Sequence, residues 1–173
     1  MNCECISLFS AIENRHEKCI DLFSNDDINI FPTHYSPIGY SAFEINDLRI
    51  TKKLLKYPHL RNIKNSLGYT CVHEAVIFGN INYLKLFWNG KCDFNCLTDD
   101  KDSVFHLSVR KNNCEIKNFL KSRVNKKFLK LKNIHEKTPI ELSFEIYEKN
   151  IFETEDIPSF KIEKEIFIFE KEE

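Results

Sequence analysis

Hydrophobic positions along the chain form short helical stripes that come in pairs. The clearest pair covers 70–89, where a motif starting at Thr70 leads through apolar residues to Gly79, and a second apolar stripe follows. Thr70 suits a helix N-cap, and Gly79 suits a helix end that needs a positive φ. The second stripe has apolar residues at helical spacing: Tyr83, Leu84, Phe87 and Trp88. The pattern predicts two short antiparallel helices.

The same pattern recurs along the chain at a regular interval. The first motif begins at Thr70, a second copy of it occupies 103–108, and a third starts at Thr138. Upstream, Ala11 matches Ala75 in register, and a degenerate copy lies at 36–64 in a register that is open by one position. A solenoid needs three or more stacked units to bury its faces, and this count meets that need.

The segment 65–98 resembles an ankyrin repeat across its whole length. The family pattern runs Gly, any residue, Thr, Pro, Leu, His, any residue, Ala. The chain matches it with Gly68, Thr70, His73 and Ala75, and it replaces Pro and Leu by Cys71 and Val72. The resemblance extends over about 4–150, as four full repeats and a terminal half repeat. It implies an all-α solenoid of helix-turn-helix units, with an ankyrin-repeat domain at 1–150.

A segment of different character follows at 151–173. Residues 157–163 alternate between apolar and polar, and 166–169 are all apolar, which is typical of extended strands. We expect an extended, acidic and apolar C-terminal tail, with a final helix as the alternative. Its apolar side chains either cover the last repeat or bind another molecule. The candidate contacts are Phe160, Ile162, Ile166, Phe167 and Phe169.

Composition and charge narrow the classes of function. The 173 residues, 42% hydrophobic and 29% charged, fit one soluble domain with a tail, and a net charge of -1 gives no global attraction to nucleic acid or membrane. Locally, residues 110–137 hold ten Lys or Arg and two Glu, a net of +8. Residues 141–173 hold four Lys and eleven Asp or Glu, a net of -7. We expect these blocks to pair or to be solvated, and the acidic block disfavours nucleic-acid binding.

Seven cysteines are scattered among apolar positions rather than spaced as a disulfide framework. We therefore expect reduced thiols and a cytoplasmic or nuclear protein. No basic segment precedes the first apolar stretch, so a secretory signal is not recognised. No uninterrupted apolar run is longer than 166–169, which is far short of a membrane span.

Candidate metal and catalytic residues also have structural interpretations. Cys92 and Cys96, four positions apart, have His73 and His106 near them in sequence, which raises a zinc site. The resemblance places both histidines at a structural Thr-x-x-His position, so we expect no metal and no cofactor. No nucleophile has a credible base and orienting group, so we expect a binding protein and not an enzyme.

The resemblance implies recognition of a protein partner on a concave face made by loop tips and outer positions of the first helices. Its candidate contacts are Tyr69, Glu74, Ile77, Phe78, Asp102, Leu107, Arg110 and Lys111. Two hypotheses follow. The first is an adaptor or inhibitor that binds a partner protein on this face, with Ile77 and Phe78 as an apolar anchor beside a basic rim. The second is a structural protein that self-associates through its tail and end repeats.

Overall fold

The computed structural model describes residues 5–23 and 34–153, with side chains described up to residue 146. All regular secondary structure in these ranges is helical, and most of it forms pairs. The pairs are numbered here as repeats 1 to 4. Repeat 1 consists of α1 (Leu8–Glu13) and α2 (Glu17–Phe23), and repeat 2 of α3 (Pro37–Gly39), a π-helical turn that extends it (Tyr40–Glu44), and α4 (Leu48–Leu54). Repeat 3 consists of α5 (Cys71–Ile77) and α6 (Ile81–Asn89), and repeat 4 of α7 (Val104–Arg110) and α8 (Cys114–Lys121). Two short 3-10 helices lie at Pro58–Leu60 and Lys126–Leu129, and α9 (Pro139–Glu153) comes last.

The first helices of repeats 2 to 4 stack on one another. Helix α5 contacts α3 on one side and α7 on the other, and α7 in turn contacts α9. Each first helix also contacts the second helix of its own repeat. The predicted all-α solenoid of helix-turn-helix units is therefore confirmed. Its core is continuous, and its largest fully buried apolar side chains are Phe87, Phe105, Ile12, Ile20, Ile38, Ile50, Leu54, Leu60, Leu84, Ile116 and Leu120.

One residue with positive φ stands shortly before each second helix. It is Gly79 in repeat 3, as the sequence predicts, with a φ of 68°. Non-glycine residues take the same conformation in the other repeats: Arg15, Asn46 and Asn112. The turn therefore recurs in all four repeats although its glycine does not.

Repeat 2 has one position more between its two helix caps than repeat 3. Its caps, Ser36 and Asp47, lie eleven positions apart, whereas Thr70 and Asn80 lie ten apart. The π-helical turn at Tyr40–Glu44 accommodates the additional residue, because its hydrogen bonds span five positions instead of four. This insertion is why the sequence leaves the register of the copy at 36–64 open by one position.

The Thr-x-x-His motif caps a helix and also joins neighbouring repeats. The Thr70 backbone N–H donates to Nδ1 of His73 over 3.1 Å, so Nε2 carries the ring proton and donates to the carbonyl oxygen of Cys96, also at 3.1 Å. His106 accepts in the same way from the N–H of Ser103, and its Nε2 lies 2.9 Å from the carbonyl oxygen of Lys137. Both imidazoles are buried and use both nitrogens, so they have the structural role expected of them.

Candidate functional site

A cluster of aromatic rings lies on the face formed by the first helices of repeats 2 and 3. The aromatic patch, as we call it, consists of Tyr35, Phe43 and Phe78. The Phe78 ring stacks on Phe43 with centroids 4.9 Å apart and on Tyr35 at 5.9 Å. Phe78 is 52% exposed, and the other two rings are half-buried. Behind them, Phe43 contacts the edges of Tyr83 and Phe87, so the patch is anchored in the core.

Charged side chains border the aromatic patch along the solenoid. Arg110 and Lys111 occupy in repeat 4 the places that Ile77 and Phe78 have in repeat 3, and both are exposed at the end of α7. On the side of α3, Glu44 is exposed next to Tyr35. Partial burial raises the pKa of Tyr35, and the negative charge of Glu44 raises it further. The patch therefore lies between an acidic edge and a basic edge.

The structure leaves five of the eight predicted contact residues accessible and buries three. Phe78, Arg110 and Lys111 are exposed, while Tyr69 and Ile77 are half-buried. A binding role for these five residues stays a prediction. The expected exposure is wrong for the other three, which are buried: Glu74, Asp102 and Leu107.

Glu74 is buried because its carboxylate caps the first helix of the preceding repeat. Ser36 donates its backbone N–H to Oε1 over 2.7 Å and its hydroxyl to Oε2 over 2.6 Å. The side chain of Asn65 donates to Oε1 over 3.1 Å. Burial raises the pKa of Glu74 to about 7, against the lowering effect of these hydrogen bonds. Glu74 is thus a link between repeats 2 and 3 and not a surface contact.

A glycine in repeat 2 makes room for this carboxylate. Gly39 occupies the place that His73 has in repeat 3, three positions after the N-cap. A Cβ atom at Gly39 would collide with the carboxylate of Glu74. Glu74 therefore supplies to Ser36, from the next repeat, the hydrogen bonds that His73 supplies within its own. The sequence signal for this exchange is a glycine at the histidine position.

Asp102 and Leu107 are buried for different reasons. The Asn133 side chain donates to Oδ1 of Asp102 over 2.8 Å, and Arg110 lies 3.4 Å from Oδ2, so this carboxylate holds the following loop in place. Leu107 stands where repeat 3 has Glu74, and its side chain belongs to the core. A residue at this position turns inward in both repeats.

The structure describes the basic block at 110–137 but not the tail candidates. Phe160, Ile162, Ile166, Phe167 and Phe169 lie outside the described residues, and their predicted contacts stay a prediction. Most cations of the basic block are exposed. Residues 48–64, which the sequence predictions do not single out, contain six Lys or Arg and no Asp or Glu, and four of these six cations are exposed. Three of these cations are paired: Arg49 with Glu17, Lys53 with Asp21, and Lys64 with Asp99.

Candidate metal ligands do not assemble into a free site in the described part of the chain. Cys92 is buried at 3.8 Å from Cys71, and burial raises the pKa of Cys96 to about 11, which keeps its thiol protonated.

A group not foreseen from sequence brings Cys5, His16 and Cys19 within 4.8 Å of one another. Cys19 is disulfide-bonded, so the expectation of reduced thiols is wrong at this cysteine. Only Cys5 and His16 then remain as ligands, whereas structural zinc typically has four.

Comparison with known families agrees with this geometry. A model of ankyrin repeats, in three copies, matches residues 38–130, which is more than half of the chain. The chain therefore belongs to the ankyrin-repeat family. Members of this family are generally non-catalytic modules for protein–protein interaction. No curated protein matches the chain at a significant level.

The matched residues contain repeats 2 to 4, from α3 to the 3-10 helix at Lys126–Leu129. Repeat 1 and α9 lie outside them and extend the stack at both ends. Among the described helices, none has the length and apolar character that crossing a membrane requires.

Proposed function

We propose that this ankyrin-repeat protein is an adaptor or inhibitor that binds a partner protein through the aromatic patch and the neighbouring cations of α7. The observation that carries the proposal is the exposure of Phe78 within a stack of three aromatic rings. A few residues supply most of the binding energy at protein interfaces, and aromatic and arginine side chains are enriched there. Complete burial of a side chain the size of Phe contributes about 1.5–3 kcal/mol.

The patch is suited to binding because it is already ordered. Phe43 is held by edge contacts to Tyr83 and Phe87, and Phe78 stacks on Phe43. A preorganised surface loses less side-chain entropy on association than a mobile one. Arg110 and Lys111 add positive charge on one side, so the proposed partner presents an apolar segment with acidic residues next to it.

The experiment identifies a partner first and then measures its affinity. Tagged protein is used to capture partners from cells of the source organism, and each purified partner is titrated calorimetrically against wild type and Phe78→Ala. We expect Phe78→Ala to weaken binding at least about tenfold, which corresponds to about 1.4 kcal/mol. The matched control is Leu48→Ala on α4, which removes an apolar side chain of similar exposure, 49%, away from the patch.

Circular dichroism and thermal unfolding of both variants show whether the helices are intact. If folded Phe78→Ala binds as tightly as wild type, the aromatic patch is not the binding surface. If only Leu48→Ala weakens binding, the partner binds on the side of the second helices, and the proposal is likewise wrong.

A further inference from the structure

Helix α9 exposes a position that its counterparts in repeats 3 and 4 bury. Phe144 is the sixth residue after Thr138, whose hydroxyl caps α9. The sixth residue after the cap is Val76 in α5 and Val109 in α7, with exposures of 0% and 7%. Phe144 is 38% exposed although it occupies the same place. The structure therefore leaves a surface of α9 open that other repeats cover.

A second position of α9 shows the same difference. Ile140 is the second residue after the cap, where Val72 and Phe105 are fully buried, and it is only half-buried. On the preceding turn, Ile134 is exposed as well. We call Ile134, Ile140 and Phe144 the α9 face. It is apolar, and its two helical positions correspond to surfaces that are internal in the preceding repeats.

The α9 face is open because α9 lacks the neighbours that α5 and α7 have. Each of those helices contacts the second helix of its own repeat and the first helix of the next one. The main contact of α9 among the described elements is with α7 alone. A solenoid ends stably only where a capping unit covers its last apolar surface. The α9 face therefore requires an occupant.

Charged side chains of both signs surround the α9 face, since Glu136, Glu141 and Glu145 are exposed beside its lysines. Lys130 and Lys132 are exposed, and Lys137 is half-buried beside α9. Two of these cations form ion pairs, Lys132 with Glu136 at 3.7 Å and Lys137 with Glu145 at 3.8 Å. Exposed pairs of this length stabilise little, so an acidic occupant can replace them.

We propose that the segment 154–173 of the same chain covers the α9 face. It follows α9 directly, and its seven acidic residues and three lysines, a net charge of -4, supply carboxylates that can pair with the lysines beside the face. Its large apolar side chains match the apolar character of the face: Ile157, Phe160, Ile162, Ile166, Phe167, Ile168 and Phe169. Attachment to α9 gives the segment a high effective concentration there, which favours it over a separate molecule.

The test uses the full chain and hydrogen–deuterium exchange of the α9 amides read by mass spectrometry. One variant replaces the apolar run 166–169 by four serines. Loss of the cover is expected to speed α9 exchange about tenfold or more while exchange in α5 stays unchanged. Leu22→Ser is the control, since it removes an exposed apolar side chain from α2 and is expected to leave α9 exchange unchanged.

A coupling measurement tests whether the segment and the α9 face touch. Phe144→Ala is expected to speed α9 exchange in wild type and to add little in the serine variant, because residues in contact give non-additive effects. Single substitutions Phe167→Ser and Phe169→Ser repeat the measurement with smaller perturbations if the fourfold variant does not fold. Strictly additive effects in all of these combinations would overturn the proposal.

Light scattering separates the proposed occupant from a second copy. The proposal expects a mass near 20.5 kDa for wild type and the serine variant at all concentrations. A larger mass in wild type that the serine variant loses would mean that the segment binds another molecule of this chain, which overturns the same-chain contact. Unchanged α9 exchange in a folded, monomeric serine variant would also refute it.

Discussion

Replacing Glu74 by glutamine tests the energetic consequence of the buried carboxylate between repeats 2 and 3. Glu74→Gln keeps the size and planarity of the side chain and removes its ability to ionise. The amide oxygen can still accept the Ser36 N–H, and Asn65 remains within reach. The substitution therefore isolates the cost of a buried negative charge from the loss of the contact itself.

The magnitude follows from the pKa of Glu74. Burial raises it from an ordinary value of 4.5 to about 7, so the folded state binds a proton more tightly than the unfolded state between these two pH values. Stability contributed by the protonated group is therefore complete below pH 4.5 and is lost as the pH rises to 7. At about 1.4 kcal/mol for each pKa unit, the loss reaches about 3 kcal/mol above pH 7.

Urea unfolding followed by circular dichroism, at intervals from pH 5 to pH 8, measures this difference. We expect Glu74→Gln to exceed the free energy of unfolding of wild type by about 1 kcal/mol at pH 5 and by up to about 3 kcal/mol at pH 8. Every other titrating group is common to both proteins and cancels in the comparison. Burial raises the pKa values of Tyr35 and Cys71, and the negative charge of Glu74 raises them further. Both groups therefore stay neutral over this pH range.

Glu74→Leu is the matched control, because leucine is the residue that repeat 4 has at this position, Leu107. Leucine leaves two buried donors of Ser36 without their acceptor, so we expect its free energy of unfolding to lie about 1–3 kcal/mol below that of Glu74→Gln, by an amount that varies little with pH. Parallel pH profiles for wild type and Glu74→Gln would refute the reasoning, since they would mean that the carboxylate titrates alike in folded and unfolded chains.

Three further predictions concern the caps and the turns. Burial lowers the pKa of His73 to about 4, so in the Glu74→Gln protein this group should lower the free energy of unfolding by up to about 3 kcal/mol as the pH drops from 6.5 to 4. In urea unfolding, adding His73→Gln should remove this part of the slope and leave the part due to His106, whose pKa burial also lowers; an unchanged slope would contradict the prediction. Lys101 has a φ of 58°, so Lys101→Gly should raise the melting temperature, with a gain of about 0.5–1 kcal/mol; an unchanged or lower value would contradict the expected strain. Gly68→Ala should lower it, because Gly68 has a φ of 77° and an added Cβ would strike Asp99; equal melting temperatures would contradict this.

The repeat architecture can be predicted because it depends on local chemistry at a fixed spacing. Thr70 and His73 are three positions apart, and the cap that they form needs only backbone and side chains of one turn. The same holds for Gly79 and its turn. In repeat 2 the prediction is incomplete, because the π-helical turn at Tyr40–Glu44 inserts one residue without a recognisable sequence signal.

The candidate site is harder to predict, because burial of a charged residue depends on distant partners. Glu74 is enclosed by Ser36, 38 positions away, and Asp102 by Asn133, 31 positions away. A carboxylate in the interior contradicts the usual preference of charged residues for water, so position within the repeat alone predicts the wrong exposure. Phe78 and Lys111 follow the family pattern and are exposed as expected.

The cap that Glu74 provides makes repeats 2 and 3 inseparable as building blocks. In a repeat protein, each unit can ordinarily be exchanged for another as long as the surfaces between neighbours match. Here Ser36 relies on an acceptor that belongs to the following unit, and Gly39 must stay without a side chain to admit it. A chimera that received a standard repeat with histidine at position 39 would place the imidazole where the carboxylate lies. Transplanting or replacing either unit therefore requires both to be moved together.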